Sequence, residues 1–371
     1  MFSSVVLFGG TGDVGKRVVE LLLTHTDFDV VLVSRRGGTD TKRVKKLALD
    51  LSDAKAREKI PTNAVTVNLT EATPPSLLGT IVGDGGTFLD ISASPQYVAA
   101  IEDEVAAVDS LGSGVICVGT APGLSTLVAA RTAQAEGAAS VDVGIELGMG
   151  RHYGPAATEW FFESVGSSYS IGRGSHIQAI TSGSLSRSFR FEAKDKRRPA
   201  VGIGFPDQGI APAGKSATVR TFLAVDPSYV TRVLSVLLKL GFGRLFAKWS
   251  KPLAKILTKT PALGGANSRI TAESYSVSGE LLGKGTLKAG DQSDLTAGMI
   301  VATLLAIHSA QQPKYGLRTV GDFLTVEIAL DSLRKLLPTM KIEAEFSGEG
   351  LEQAKSDCCS QRDQPQQQLA G

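Results

Sequence analysis

The sequence predicts an α/β chain in which a doubly wound parallel sheet is followed by a second α/β domain with a mixed sheet. Three observations predict it. Short β-rich runs alternate with helical patterns through the first third. A glycine cluster (Gly9, Gly10, Gly12, Gly15) separates the first apolar run from the first amphipathic one, and after about Gln134 the runs lengthen and the rhythm changes.

In order, strand one is Ser4–Phe8, and a helix follows from Asp13 with Val14, Val18, Leu21 and Leu22 on one face. Strand two is Val30–Ser34. Leu47–Asp53 reads as a third strand, reached by a polar loop instead of a crossover helix. Ala64–Pro75 holds a fourth strand ending in a proline-marked turn, and Thr87–Ser92 a fifth. Ser94 as N-cap and Pro95 at the first helical position start a helix in which Val98, Ile101, Val105 and Val108 recur at helical spacing. Gly114–Thr120 is a sixth strand, and APGLST turns into the next helix. The second part offers SVDVGIEL, SRSFRFEA and ATVRTFLAV as strands, the pair ITAESYSVSG and ELLGKGTLKAG, and helices over Ala157–Val165 and Ser228–Leu240. Ser293–Ala310 is strongly helical and another helix fits Val320–Leu337; one or both are expected to pack back on the first domain. From about Gln353 no apolar residues fall at core spacing, so 351–371 reads as a disordered tail.

Bulk properties exclude several classes. With 371 residues there is room for two domains. Lys plus Arg number 39 against 37 for Asp plus Glu, and a net charge of +2 gives no reason to expect nucleic acid as a partner. Three cysteines, two of them adjacent near the end, make neither a disulfide framework nor a zinc site, and the four histidines lack metal-ligand spacing. No run reaches the ~18 apolar residues of a membrane span. The N-terminus has no basic segment followed by a long apolar one, so a cytoplasmic protein without a metal is expected.

Glycine costs backbone entropy wherever it is fixed, so the cluster needs a reason. A strand, then Gly-x-Gly-x-x-Gly (Gly10, Gly12, Gly15), then a helix is the Rossmann-type arrangement for a dinucleotide pyrophosphate. The first glycine makes the tight turn, the second lets backbone approach phosphate, and the third lets helix and strand pack. The segment Gly9, Gly10, Thr11, Gly12, Asp13, Val14, Gly15 is therefore the candidate pyrophosphate site, with helix N–H groups aimed at the anion. The second strand ends in Ser34, Arg35 and Arg36 where an NAD site carries a carboxylate; two guanidiniums and a hydroxyl suit a 2′-phosphate, so the cofactor expected is NADP(H). Asp50 either meets the adenine edge or caps its own loop.

These residues, in GGTGDVG, SRR, LDLSD, VNLTEATPP, LDISASPQYV and above all GTAPGLSTLVA, resemble the NADP-binding domain of saccharopine dehydrogenase-like oxidoreductases over about the first 135 residues. The resemblance implies that Asp90, Ser92, Gly119 and Pro122 lie along the cleft near the nicotinamide end, and Thr70 of VNLTEATPP is placed with the cofactor-binding residues. It also implies a substrate and dimerisation domain with a returning helix, and hydride transfer to or from a carbon bonded to nitrogen. The resulting division is 1–135 for the nucleotide, 136–292 for substrate and dimerisation, and 293–350 for helices returning to the first domain.

A short-chain dehydrogenase mechanism is excluded, because none of the six tyrosines has a lysine four residues later. Arg151, His152 and Tyr153 in GMGRHYGPAATEW follow a strand and precede a helix. There an anionic substrate group can dock and His152 can act as general acid, unless the loop's polar residues are incidental. Arg173 and His176 make a weaker case of the same kind. Cys117, mid-strand and without a histidine motif, reads as structural. The stretch 230–261 alternates apolar residues with lysine and arginine: either a basic amphipathic surface for peripheral membrane contact or a lipid-like substrate, or ordinary surface helices. The function expected is an NADP(H)-dependent oxidoreductase, homodimeric, acting on the C=N carbon of an amino-acid- or polyamine-derived small molecule. The alternatives are a carbonyl or enoyl reductase for an apolar, lipid-like substrate and a non-catalytic NADPH-binding protein.

Overall fold

The structure, a computed structural model, describes residues 2–53, 55–148, 155–172, 177–192, 196–210, 214, 216–257, 259 and 264–348. Its first part runs β1 (Ser4–Phe8), α1 (Asp13–His25), β2 (Asp29–Ser34), β3 (Val44–Ala48), α2 (Ala56–Lys59), β4 (Ala64–Asn68), α3 (Pro75–Gly83), β5 (Thr87–Asp90), α4 (Pro95–Ala106), β6 (Ser113–Ile116) and α5 (Leu124–Thr132). The second runs β7 (Ser140–Gly148), α6 (Pro155–Ser164), β8 (Ser168–Ile171), β9 (Gln178–Thr181), β10 (Ser186–Phe189), β11 (Arg198–Gly202), β12 (Thr218–Asp226), α7 (Ser228–Lys239), α8 (Gly243–Lys248), α9 (Ser250–Leu257), β13 (Ser268–Tyr275) and β14 (Leu281–Ala289). The chain then returns through α10 (Gln292–Ser309), β15 (Gly316–Thr319), α11 (Val326–Leu336) and β16 (Glu343–Gly348).

β1 shows why the first sheet is wound on both faces. Its side chains alternate, so Val5 and Leu7 enter a core with Val18, Leu21 and Leu22 of α1, while Val6 and Phe8 enter another with Leu78 of α3 and Ile101 of α4. All its ladders are parallel, in the order β15-β6-β5-β4-β1-β2-β3. The order reverses between β1 and β4, and ligands of such sheets bind at the carboxyl ends of the strands beside that switch. The second sheet, β10-β11-β12-β7-β13-β14-β16, is mixed: β12 and β7 are parallel and the other ladders antiparallel. This is the α/β architecture expected.

Several boundaries differ from expectation for physical reasons. The third strand lies earlier, at Val44–Ala48, and carries Lys45 and Lys46 on its exposed positions; an edge strand blunted by charge lacks the apolar alternation that marks an inner one. The sixth ends at Ile116 because Cys117 turns left-handed (φ 59), so Cys117 is a strand terminator and not mid-strand. Ser94 does cap α4, accepting from the Tyr97 amide. The expected helix at Val320 is a 3-10 turn to Asp322, and α11 starts at Val326 behind its N-cap Thr325.

α10 does pack on α1, and α11 on α10 and α5. The return is more than helical: β15 extends the first sheet and β16 the second. The middle of α10 is buried on all sides from Ala297 to Leu304, so its apolar character comes from lying between neighbours. The second sheet's apolar face (Val141, Val143, Ile145, Ile270, Ala272) joins the same core. Its other face holds ion pairs: buried Glu146 receives Arg198 at 2.9 Å and Arg269 at 2.5 Å, and buried Asp142 receives Arg220 at 2.5 Å and Arg187.

Candidate active site

The glycine turn leaves β1 at the switch point. Gly9 takes the left-handed turn (φ 77), the role expected of Gly10, and a Cβ on it would stand 3.2 Å from Thr70 at the end of β4. Gly10 instead packs: its Cβ would meet Leu32 at 2.6 Å. Gly15 lies so close that a Cβ would fall 2.5 Å from the Gly10 backbone, so helix α1 and the turn fit together only without a side chain there. Gly12, the N-cap, has no side-chain partner, and its missing Cβ would meet little beyond the Gly9 carbonyl at 3.3 Å. Gly12 N–H donates to Gly9 O, whereas the Asp13, Val14 and Gly15 amides have no partner among the described residues. Three free donors at a helix N-terminus, above an open glycine, make an anion cradle.

Ser34 ends β2, and Arg35 and Arg36, both exposed, follow it along the same edge. Asp50 lies beyond the end of β3, and its carboxylate accepts from the Ser52 amide (3.0 Å) and hydroxyl (2.7 Å), bonds that hold it below the usual carboxylate range. It is thus a loop cap, beside Arg35.

Asp90 departs from its expected place. It is wholly buried beneath the cleft, accepting from the Ser92 amide (2.8 Å), the Ser92 hydroxyl (3.1 Å) and Asn68 (2.6 Å). Burial pushes its carboxyl up to about 6. Its side chain positions Ser92 and offers no surface of its own.

The loop Gly119–Gly123 closes the cleft. Gly123 has φ 137, and a Cβ there would strike Gly119 O at 2.0 Å. Thr120 ties the loop to the start of α10, donating to Gln292 O (3.0 Å) and meeting the Thr296 hydroxyl at 2.9 Å. From the other side Asp207, in the 3-10 turn Pro206–Gly209, accepts from Thr126 of α5 at 3.0 Å, and Thr126 in turn accepts from Gly123 N–H. Arg17 of α1 reaches Asp294 and, at 3.8 Å, Asp291 at the head of α10.

Between these strand ends and the second sheet lies a cavity of about 620 Å³. Val14, Thr70, Ser92 and Gly119, all predicted cofactor residues, line its floor with Leu69 and Ile91. The opposite wall is apolar: Ile145 and Leu147 of β7, Leu223 of β12, and the aromatic cluster Trp160, Phe161 and Phe205, with Trp160 and Phe205 rings 5.4 Å apart. Helix α7 adds Tyr229, Val233 and Leu237 at the mouth. The one charged lining group among the described residues is Glu71, exposed on the rim and accepting from Ser94 N–H at 3.1 Å; partial desolvation there pushes its carboxyl upward.

Sequence reasoning missed Glu71, although it adjoins Thr70, and missed the aromatic wall, although three aromatics in a row at Trp160–Phe162 were its signal. Arg151, His152, Tyr153, Arg173, His176 and the 351–371 tail lie outside the described residues. Cys117 is buried, and burial raises its thiol well above the usual range, so it is no nucleophile. Among the described residues no cluster of His, Cys, Asp and Glu can hold a metal ion, and no helix is long and apolar enough to cross a membrane.

No protein-family model and no curated protein matches the chain. Among solved structures it is similar to a meso-dapdh mutant with DAP from Clostridium tetani (14% identity over 90% of this chain and 99% of that one, TM-score 0.45). It is also similar to a dipicolinate-bound dihydrodipicolinate reductase from Paenisporosarcina sp. (12% identity, 87% of this chain and 100% of that one, TM-score 0.40). A third is an aspartate dehydrogenase from Thermotoga maritima (12% identity, 85% of this chain and 100% of that one, TM-score 0.37). Identities this low concern the fold alone.

Proposed function

We propose that the protein is an NADP(H)-dependent oxidoreductase whose substrate is apolar, with hydride transfer at a carbonyl or enoyl carbon. The observation that carries this reading is the 620 Å³ apolar cavity opening onto the strand ends beside the glycine turn. The residues fit the coenzyme: free amides at Asp13, Val14 and Gly15 suit a diphosphate, and Arg35 and Arg36 suit a 2′-phosphate. When bound, the nicotinamide supplies or accepts the hydride. The protein supplies position and exclusion of water. Ser92, fixed by Asp90, and Gly119, fixed through Thr120, set the cavity floor, and the aromatic wall holds an apolar chain against it. Glu71, exposed on the rim with its carboxyl raised by partial desolvation, is the described charged lining residue that can deliver a proton there.

A second reading is favoured by the same carboxylate. Reduction of C=N, which the saccharopine dehydrogenase-like resemblance implies, starts from a cationic iminium that Glu71 would pair with. Its apolar remainder would fill the cavity, while an amino-acid carboxylate would find no lysine or arginine among the described lining residues. The two are separated by following NADPH absorbance with long-chain ketones and enoyl esters on one side and cyclic imines on the other. Consumption only with the imines rejects the first reading; consumption with neither leaves an NADPH-binding protein without this activity.

A further inference from the structure

Helices α7 and α9 bury one side and leave the other bare, and α8 between them has no fully buried residue. On α7 the exposed side is a stripe at helical spacing, Tyr229, Val233, Val236 and, just past its end, Leu240, the last 68% exposed. It continues through Phe242 and Leu245 to Trp249, 52% exposed, and Ile256. Single exposed apolar residues are ordinary, but eight of them between Tyr229 and Ile256 mark a surface that something covers. Interleaved with it stand the exposed cations Arg232, Lys239, Arg244, Lys248, Lys251 and Lys255. From Pro227 to Ala272 the sequence contains no aspartate or glutamate. Glu159, from outside this stretch, meets Lys251 at 3.7 Å.

We propose that the α7–α9 face docks in the plane of an anionic lipid bilayer, inserting its apolar stripe below the headgroups while the lysines and arginines contact lipid phosphates and carboxylates. Apolar side chains flanked by cations, on short amphipathic helices, are what such a surface selects. A second copy of this chain fits poorly, since it would set cations against cations with no carboxylate on the three helices themselves to separate them. The same face carries the mouth of the cavity, because Tyr229 and Val233 are both exposed outside and part of the lining. A substrate dissolved in the bilayer would thus reach the cavity without crossing water. That last step rests on the proposed function; the docking does not.

The test uses the full chain and vesicles of phosphatidylcholine alone or with phosphatidylserine, read by co-sedimentation. Binding is expected to the mixed vesicles, to fall with added salt, and to be at least about tenfold weaker for Lys248→Glu/Lys251→Glu. Leu240→Ser/Trp249→Ser should also weaken it, with circular dichroism and melting temperature unchanged in both variants. The proposal is overturned if folded wild-type protein ignores the mixed vesicles, or if charge reversal leaves binding intact. Light scattering that shows a dimer split by these substitutions would instead assign the face to a second copy. Coenzyme titration on the same preparations separates the two readings: bound NADPH without vesicle binding rejects the docking alone, and vesicle binding without bound NADPH rejects the redox reading alone.

Discussion

Asp207 gives a prediction whose size follows from its surroundings. It joins the second sheet's loop to the Gly119–Gly123 turn through Thr126, yet its buried Oδ1 has no hydrogen-bond partner among the described residues. Burial pushes the carboxyl up to about 6 from an ordinary 3.8. The folded state therefore holds this proton more tightly than the unfolded chain does, so the site costs nothing in acid and becomes a burden as pH rises through the interval between those values. The difference converts to ~3 kcal/mol of stability lost at neutral pH and above, of which ~2 kcal/mol falls between about pH 4.5 and 7.5. Asp207→Asn keeps the shape and an oxygen for Thr126 but removes the charge. Urea unfolding of both proteins at the two pH values should show the variant gaining ~2 kcal/mol on the wild type at the higher pH. A gap that stays constant within ~0.5 kcal/mol would refute the reasoning, since other carboxyls titrate alike in both proteins.

Three further outcomes are expected. Gly15→Val forces a side chain into the Gly10 backbone and should cost ~3 kcal/mol, seen as a lower melting temperature, together with loss of coenzyme binding. Glu146→Leu removes the buried carboxylate that Arg198 and Arg269 share, leaving Arg269 with Glu192 and Arg198 with Asp226, and should destabilise by ~1.5–3 kcal/mol in urea unfolding, whereas exposed Asp331→Ala should change stability by under ~0.5 kcal/mol. Arg35→Ala/Arg36→Ala should weaken NADPH at least ~10-fold more than NADH in calorimetry, because each guanidinium–phosphate contact contributes ~1.5–3 kcal/mol. Equal loss for both coenzymes would remove the NADP(H) assignment.

The first sheet and its helices were legible because their signals are local. Val5 to Phe8 alternate between two cores, Gly15 sits where only glycine packs, and Ser94 caps its helix within three residues, so short windows carried the information. β3 was misplaced by its charged edge positions, and β15 was missed because GLRT pairs with β6 across some two hundred residues and shows no pattern of its own. The aromatic wall was invisible for a related reason. Trp160, Phe205 and Leu223 come from three separate elements, and only the packing of the second sheet against the strand ends makes them one surface. Asp90 was assigned to the cleft from a motif, while burial, which decides its role, is a property of the assembled sheet.

Titration calorimetry of the purified protein with NADPH and with NADH addresses the central claim, that helix α1 and its glycine turn hold a dinucleotide diphosphate. Saturable heat with NADPH, smaller affinity for NADH, and loss of both signals in Gly15→Val are the results predicted. No heat with either coenzyme from a protein that melts cooperatively would contradict it.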